Sequence, residues 1–160
     1  MGADKLTHND GVPTVDRENF HEADGFIFGV PTRFGTPAAQ MKAFLDSTGG
    51  QWSTGALVGK PAGTFFSTAT LAGGQETTAL TMIPYMVHMG LLFVPNAYTF
   101  PKAQFDNSVI KGGSPYGPGT ISNGDGSRLP SELELEWAEH YGAHFAKIAI
   151  ALKKGKAASA

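Results

Sequence analysis

The chain contains no cysteine, so disulfides, thiolate nucleophiles and cysteine-based metal sites are all excluded. A reducing compartment is the easiest setting for such a chain. Long apolar runs are also missing. Stretches such as Leu91–Val94 are far too short to span a bilayer, and the opening MGADKLTHNDGVP lacks the apolar segment of a secretory signal. Charge of either sign is scarce, at 16% of residues with a net of −2, which leaves no electrostatic case for nucleic acid. These absences predict a cytoplasmic protein without integral membrane contact. What is present fits one core: 160 residues, 41% hydrophobic, with 21 glycines that cluster in loops.

The stretch Gly25–Trp52 organises the rest. Phe26-Ile27-Phe28-Gly29-Val30 reads as a buried parallel strand ended by Pro31. Thr32–Gly35 follows as a loop. Thr36 then reads as an N-cap with Pro37 at the first helical position. The helix beyond carries Met41, Phe44 and Leu45 on one stripe and stops at Gly49-Gly50. Before this unit, residues 1–23 read as an irregular arm with a short helix from Thr14 to Glu22. After it, Gln51–Gly59 is a loop carrying Trp52, and Ala62–Ser67 is a second strand. A helix from Gln75 to Met89 has the stripe Leu80, Ile83, Val87 and a kink expected at Pro84. Leu91–Val94 is a third strand.

Residues 95–130 have no periodicity beyond possible strand pieces at Ile110 and Gly119–Ile121. Ser131–Glu134 forms a capping box. It opens a last helix with the stripe Ala138, Tyr141, Phe145, Ile148, Ala149, Leu152, ending in Lys153, Lys154 and Lys156. Alternating strands and helices predict an α/β parallel sheet over residues 24–154, with 155–160 as a tail.

In such a sheet ligands bind at the carboxyl ends of the strands. Three loops follow three strands: Thr32–Gly35, Ser67–Gly74, and Pro95 onward. The second is rich in hydroxyls and small residues, so backbone N–H groups are free to approach a ligand. Phe34 and Trp52 suit a flat ring, or else pack in the core and in a loop. His88 is positioned to donate a hydrogen bond or proton, or to sit as an ordinary helix-end histidine. Other patterns fail. Gly55–Pro61 is one residue short of a phosphate loop, no GxSxG surrounds Ser67, and His140 with His144 lacks a third metal ligand.

Taken together, PTRFG, AQMKAFLDSTGGQW, GKPAG, AGGQETT, VHMG, GGSPYG and GDGSR resemble the WrbA-type NAD(P)H:quinone oxidoreductases in order from about Asp24 to Leu152. The resemblance implies a flavodoxin-like sheet, FMN, a homotetramer and two-electron reduction of quinones by NADH or NADPH, hydride passing through the flavin. It implies cofactor contacts at Thr32, Arg33, Phe34, Gly35, Ser67, Thr68, Ala69, Thr70, Gly73 and His88. His88 is also implied as the catalytic group near the ring, and Trp52 as the substrate-side aromatic. Against that pattern, the first strand, phosphate loop, first helix and second strand have no counterpart in Met1–Ala23. Ala69, Leu71 and Ala72 replace glycine or polar residues, and Met89 replaces a second histidine. The resemblance therefore predicts weak flavin binding by the isolated chain. The alternative is a non-catalytic paralogue that associates with full-length subunits.

Overall fold

The computed structural model describes residues 13–159. Most of the expected arm (1–12) and Ala160 lie outside the described residues. Five strands and five helices follow in order. The strands are β1 (Phe26–Arg33), β2 (Thr36–Pro37), β3 (Pro61–Thr68), β4 (Leu92–Phe93) and β5 (Gly119–Ile121). The helices are α1 (Ala39–Asp46), α2 (Gly49–Thr54), α3 (Gln75–His88), α4 (Pro101–Gln104) and α5 (Glu132–Ser159).

β1 and β3 run parallel in the register Phe26↔Ala62 to Pro31↔Ser67. The other side of β3 is shared. β4 pairs with its start, at Pro61 and Ala62, and β5 with its end, from Phe66 to Thr68. Because β1 already occupies one side of β3, β4 and β5 together act as a single strand interrupted by residues 94–118. A segment without apolar periodicity thus leaves the sheet and returns to it. β2 pairs antiparallel with Thr32 and Arg33 on the outer side of β1.

Alternation along β1 assigns its two faces. Phe28 and Val30 point into the main core with Leu45, Leu57, Met82, Met86, Met89 and Leu91, beneath α1 and α3. Gly25 and Gly29 point to the opposite face, where α5 lies. There the absence of side chains makes room: a Cβ at Gly25 would meet the Phe145 ring at 3.1 Å, and one at Gly63 would meet Tyr141 Oη at 1.9 Å. Tyr141 is buried and donates to the Val94 carbonyl over 2.7 Å; burial pushes its pKa up to about 12, so it stays a neutral donor. Gly63→Ala is therefore expected to destabilise the fold by about 1–3 kcal/mol through overpacking, read as a lower urea midpoint at unchanged slope.

Several local expectations are corrected. Thr36-Pro37 is a strand, not a helix start. Phe34 (φ 55°) and Gly35 (φ 78°) form a two-residue turn that folds β2 back on β1, and α1 starts at Ala39 without a side-chain cap. Trp52 sits in α2, not in a loop. Thr48 and the left-handed Gly55 bound that short helix, so Gly49-Gly50 opens it instead of only closing α1. The expected helix from Thr14 is a single 3-10 turn at Phe20–Glu22, and Ile110 lies in no strand. On α3 the buried positions are Thr78, Ala79, Met82 and Met86, while Leu80 and Val87 are exposed. On α5 the core contacts are Trp137, Tyr141 and Phe145; Ala138 is exposed. No helix of the described residues is long and apolar enough to cross a membrane.

Candidate functional site

The carboxyl ends of β1, β3 and β5 come out at one edge because Pro31, Ser67 and Thr120 stand in register across the sheet. The loops beyond carry backbone strain. Phe34, Ala72 and Asn123 each hold a positive φ (55°, 52° and 64°), one after each of these strands. A left-handed bulky residue such as Phe34 persists only where its surroundings fix it, and such positions gather at ligand sites.

Hydrogen bonds fasten the first two loops to each other. The Thr32 hydroxyl accepts from Gly35 N–H at 3.1 Å. The Thr78 hydroxyl lies 2.7 Å from both the Thr32 hydroxyl and the Gly74 carbonyl oxygen. The contact is close enough that a Cβ on Gly74 would meet Gly35 Cα at 2.8 Å. At Gly73 it would meet the Thr70 carbonyl oxygen at 2.8 Å. The structure therefore brings Thr32–Gly35 and Thr68–Gly74 together as one glycine-lined cradle. Thr68 is buried and donates to the Thr70 carbonyl over 2.9 Å, while Ala69 and Thr70 are exposed. Arg33 donates to its own neighbour, the Thr32 carbonyl. Phe34 stands entirely in solvent.

His88 lies elsewhere. His88 is at the far end of the 14-residue α3 from Gly74, about 21 Å along a helix of that length. It lines a 460 Å³ cavity with Thr36, Lys42, Asp46, Thr81 and Tyr85. Trp52 is 61% exposed on α2.

Two residues that sequence reasoning did not single out organise the site. Gln75, the first residue of α3, donates to the Thr68 hydroxyl (3.1 Å) and the Thr120 carbonyl (2.9 Å), and accepts from Gly113 N–H. It joins the ends of β3 and β5 to the inserted segment. Glu134 is the second. Besides closing the capping box with Ser131 N–H (2.7 Å), it accepts from Gly112 N–H (2.8 Å), the Thr120 hydroxyl (3.1 Å) and Arg128 (3.0 Å). Arg128 in turn donates to the carbonyls of Ile121 and Ile110. Burial alone would raise the Glu134 pKa, but the donors from Ser131, Gly112, Arg128 and Thr120 outweigh it and hold it below the usual carboxylate value. A capping box in the sequence signals only the Ser131 part of this network. His140 is engaged otherwise, 3.0 Å from the Thr99 hydroxyl and against the Phe100 ring.

A parallel α/β sheet with strained, glycine-lined loops at its carboxyl edge defines the nucleotide-binding class of open α/β proteins. Within that class the pattern of the NADPH-dependent FMN reductase family matches residues 4–105, and the chain belongs to that family. It is 56% identical over 146 residues to "Quinone-oxidoreductase QR2" of Triphysaria versicolor, covering 91% of this chain and 71% of that protein. It is 55% identical over 137 residues to "Probable NAD(P)H dehydrogenase (quinone) FQR1-like 2" of Arabidopsis thaliana, covering 86% of this chain and 50% of that one. The chain thus spans about 70% of one relative's length and half of the other's. Among solved structures it is similar to the flavodoxin, WrbA-like protein from Agrobacterium tumefaciens, with TM-score 0.62 and 26% identity over 82% of this chain and 69% of that one. The flavodoxin-like fold expected from the sequence is the fold found.

Proposed function

We propose that this chain is an FMN-dependent oxidoreductase that reduces quinones with NADH or NADPH. The observation that carries the reading is the cradle itself: two loops that family membership associates with flavin, locked together by Thr32 and Thr78 and cleared of side chains at Gly73 and Gly74. A flat ring needs close backbone approach and an apolar wall, and Phe34 is free to supply the wall. When bound, FMN supplies the two-electron chemistry between nicotinamide and quinone. This chain's own part is to hold the ring edge through Thr32–Gly35 and Ser67–Gly73. Trp52 would contact the quinone and His88 would donate a hydrogen bond or proton near it. His88 stands at the far end of α3 from its own cradle, so its role goes with a homo-oligomer in which chains share sites, in a cytoplasmic setting.

The same reading makes FMN binding by the isolated chain weak. The N-terminus of α3 opens at the cradle, but Glu76 lies in its first turn and disfavours a phosphate there. The test is NAD(P)H oxidation with added FMN and a quinone. Turnover that saturates with FMN and exceeds that of free FMN supports the reading; turnover equal to free FMN overturns it. Flavin absorbance retained near stoichiometrically through gel filtration would overturn weak binding. Among the described residues only β2 pairs with the outer edge of β1, which favours one second reading, a non-catalytic chain that associates with full-length subunits. Co-purification with a complete homologue, without activity alone, would select it.

A further inference from the structure

Four asparagines stand among the described residues, and three of them are locked at the peptide bond that follows. An asparagine cyclises when the next backbone nitrogen reaches its side-chain carbonyl carbon. That nitrogen must be free of an acceptor and uncrowded by a side chain of its own. After Asn19, Phe20 N–H donates to the Asp16 carbonyl (2.9 Å). After Asn96, which is fully buried, Ala97 N–H donates to the Pro115 carbonyl (2.8 Å). After Asn107, Ser108 N–H donates to Asp106 Oδ1 (2.8 Å). Asn123 differs at every point. The residue after it is Gly124, and both are exposed. Gly124 N–H finds no acceptor among the described residues. A Cβ built on Gly124 would meet nothing within 4 Å, so the peptide bond lies open to solvent. One contact holds the Asn123 side chain, Nδ2 donating to the Ser127 hydroxyl over 3.1 Å.

The same loop supplies a contrast. Asp125-Gly126 has a similar sequence, but Gly126 N–H donates to the Asn123 carbonyl (3.3 Å) and the Asp125 carboxylate accepts from Ser127 N–H (3.0 Å). An ionised carboxylate also resists attack, whereas a neutral carboxamide carries a leaving group. We propose that Asn123-Gly124 is a self-modifying site, which deamidates through a cyclic imide and leaves isoaspartate at the end of β5. The Gly124 nitrogen attacks Asn123 Cγ. The N–Cγ bond forms and the Cγ–Nδ2 bond breaks. Nδ2 departs as ammonia, taking up the proton that the Gly124 nitrogen gives to water. Water then opens the ring at either carbonyl. Opening at Cγ gives aspartate; opening at the main-chain carbonyl gives isoaspartate, with the chain running through the former side chain. No oxidant or reductant takes part.

The position gives the change its consequence. Ser122 directs its N–H and its hydroxyl at the Thr68 carbonyl (2.8 and 3.3 Å). Arg128 N–H closes the loop on the Ser122 carbonyl (3.1 Å). Isoaspartate lengthens the main chain between these two anchors by one carbon, so the loop loosens its hold on the end of β3.

The test incubates the full 160-residue chain in mildly alkaline buffer without flavin and follows each asparagine by peptide mass spectrometry. The Asn123 peptide is expected to exchange the mass of NH for that of O about tenfold or more faster than those of Asn19, Asn96 and Asn107, with isoaspartate the larger product. Gly124→Ala, whose Cβ has open space, is expected to slow the reaction about tenfold at unchanged circular dichroism. In urea the other three asparagines are expected to speed up as their following N–H groups are released, and Asn123 is not. The modified chain is expected to exchange the Ser122 and Arg128 amides about tenfold faster than the fresh chain. No gain at Asn123, equal gains at all four, aspartate without isoaspartate, or a rate untouched by Gly124→Ala overturns the proposal. So does an Asn123 rate that rises on unfolding as much as the others, and unchanged amide exchange overturns the loosening. None of these readouts uses flavin, so a failure of the FMN reading leaves them standing.

Discussion

Glu134→Ala is expected to lower the folding stability by about 3–5 kcal/mol, the cost of stranding a buried ionic partner. The carboxylate is 3% exposed and gathers two backbone N–H groups, a hydroxyl and a guanidinium from three separate stretches of chain. Its removal leaves the N–H groups of Gly112 and Ser131 without their acceptor and Arg128 without its ionic partner, and each unpaired buried donor adds its own desolvation penalty. The start of α5, the end of β5 and the inserted segment come loose together. Urea denaturation reads the effect.

The pH dependence has a definite sign. The folded-state pKa of Glu134 lies below its ordinary 4.5, so its stabilisation is fully present above that value and is lost as the pH falls through the folded pKa. The gap between wild type and Glu134→Gln is therefore widest near neutrality and narrows on acidification below 4.5. A gap independent of pH would mean that the charge at Glu134 is irrelevant.

The second large effect belongs to the cradle. Gly74→Ala puts a Cβ 2.8 Å from Gly35 Cα at a backbone φ of +95°. Neither the contact nor the dihedral is relieved by a rotamer change, so the two loops must part. FMN affinity is expected to fall about tenfold or more, roughly 1.4 kcal/mol. The left-handed strain adds about 1–2 kcal/mol of destabilisation. Fluorescence titration with FMN separates the two effects, since a merely destabilised chain still binds with wild-type affinity well below its melting temperature.

What the sequence made legible was whatever rests on local pattern. The apolar run Phe26–Val30, the run Ala62–Ser67 and the Ser131–Glu134 box identified β1, β3 and the start of α5, because a buried strand and a capped helix each leave a local signature. The Thr32–Gly35 and Ser67–Gly74 loops were readable as neighbours from the right-handed crossover rule alone. What was not legible depends on partners distant in the chain. Thr36-Pro37 has helix-start chemistry, yet the turn at Phe34-Gly35 commits it to β1. On α3 apolar residues occupy two adjacent stripes, and the choice falls to Thr78, whose buried hydroxyl is satisfied by Thr32 and the Gly74 carbonyl. The doubled role of β4 and β5 depends on β3 having one free side. Gln75 and Glu134 act through Gly112, Gly113 and Thr120, partners that no local spacing reveals.

The most direct measurement is an amide NMR titration of the chain with FMN. The cradle reading expects saturable shifts centred on Thr32–Gly35 and Thr68–Gly74, abolished or strongly weakened by Gly74→Ala. Shifts centred instead on a separate 540 Å³ cavity, lined by residues 107–115 with Glu76 and Trp137, or no saturable shifts at any FMN concentration, would contradict it.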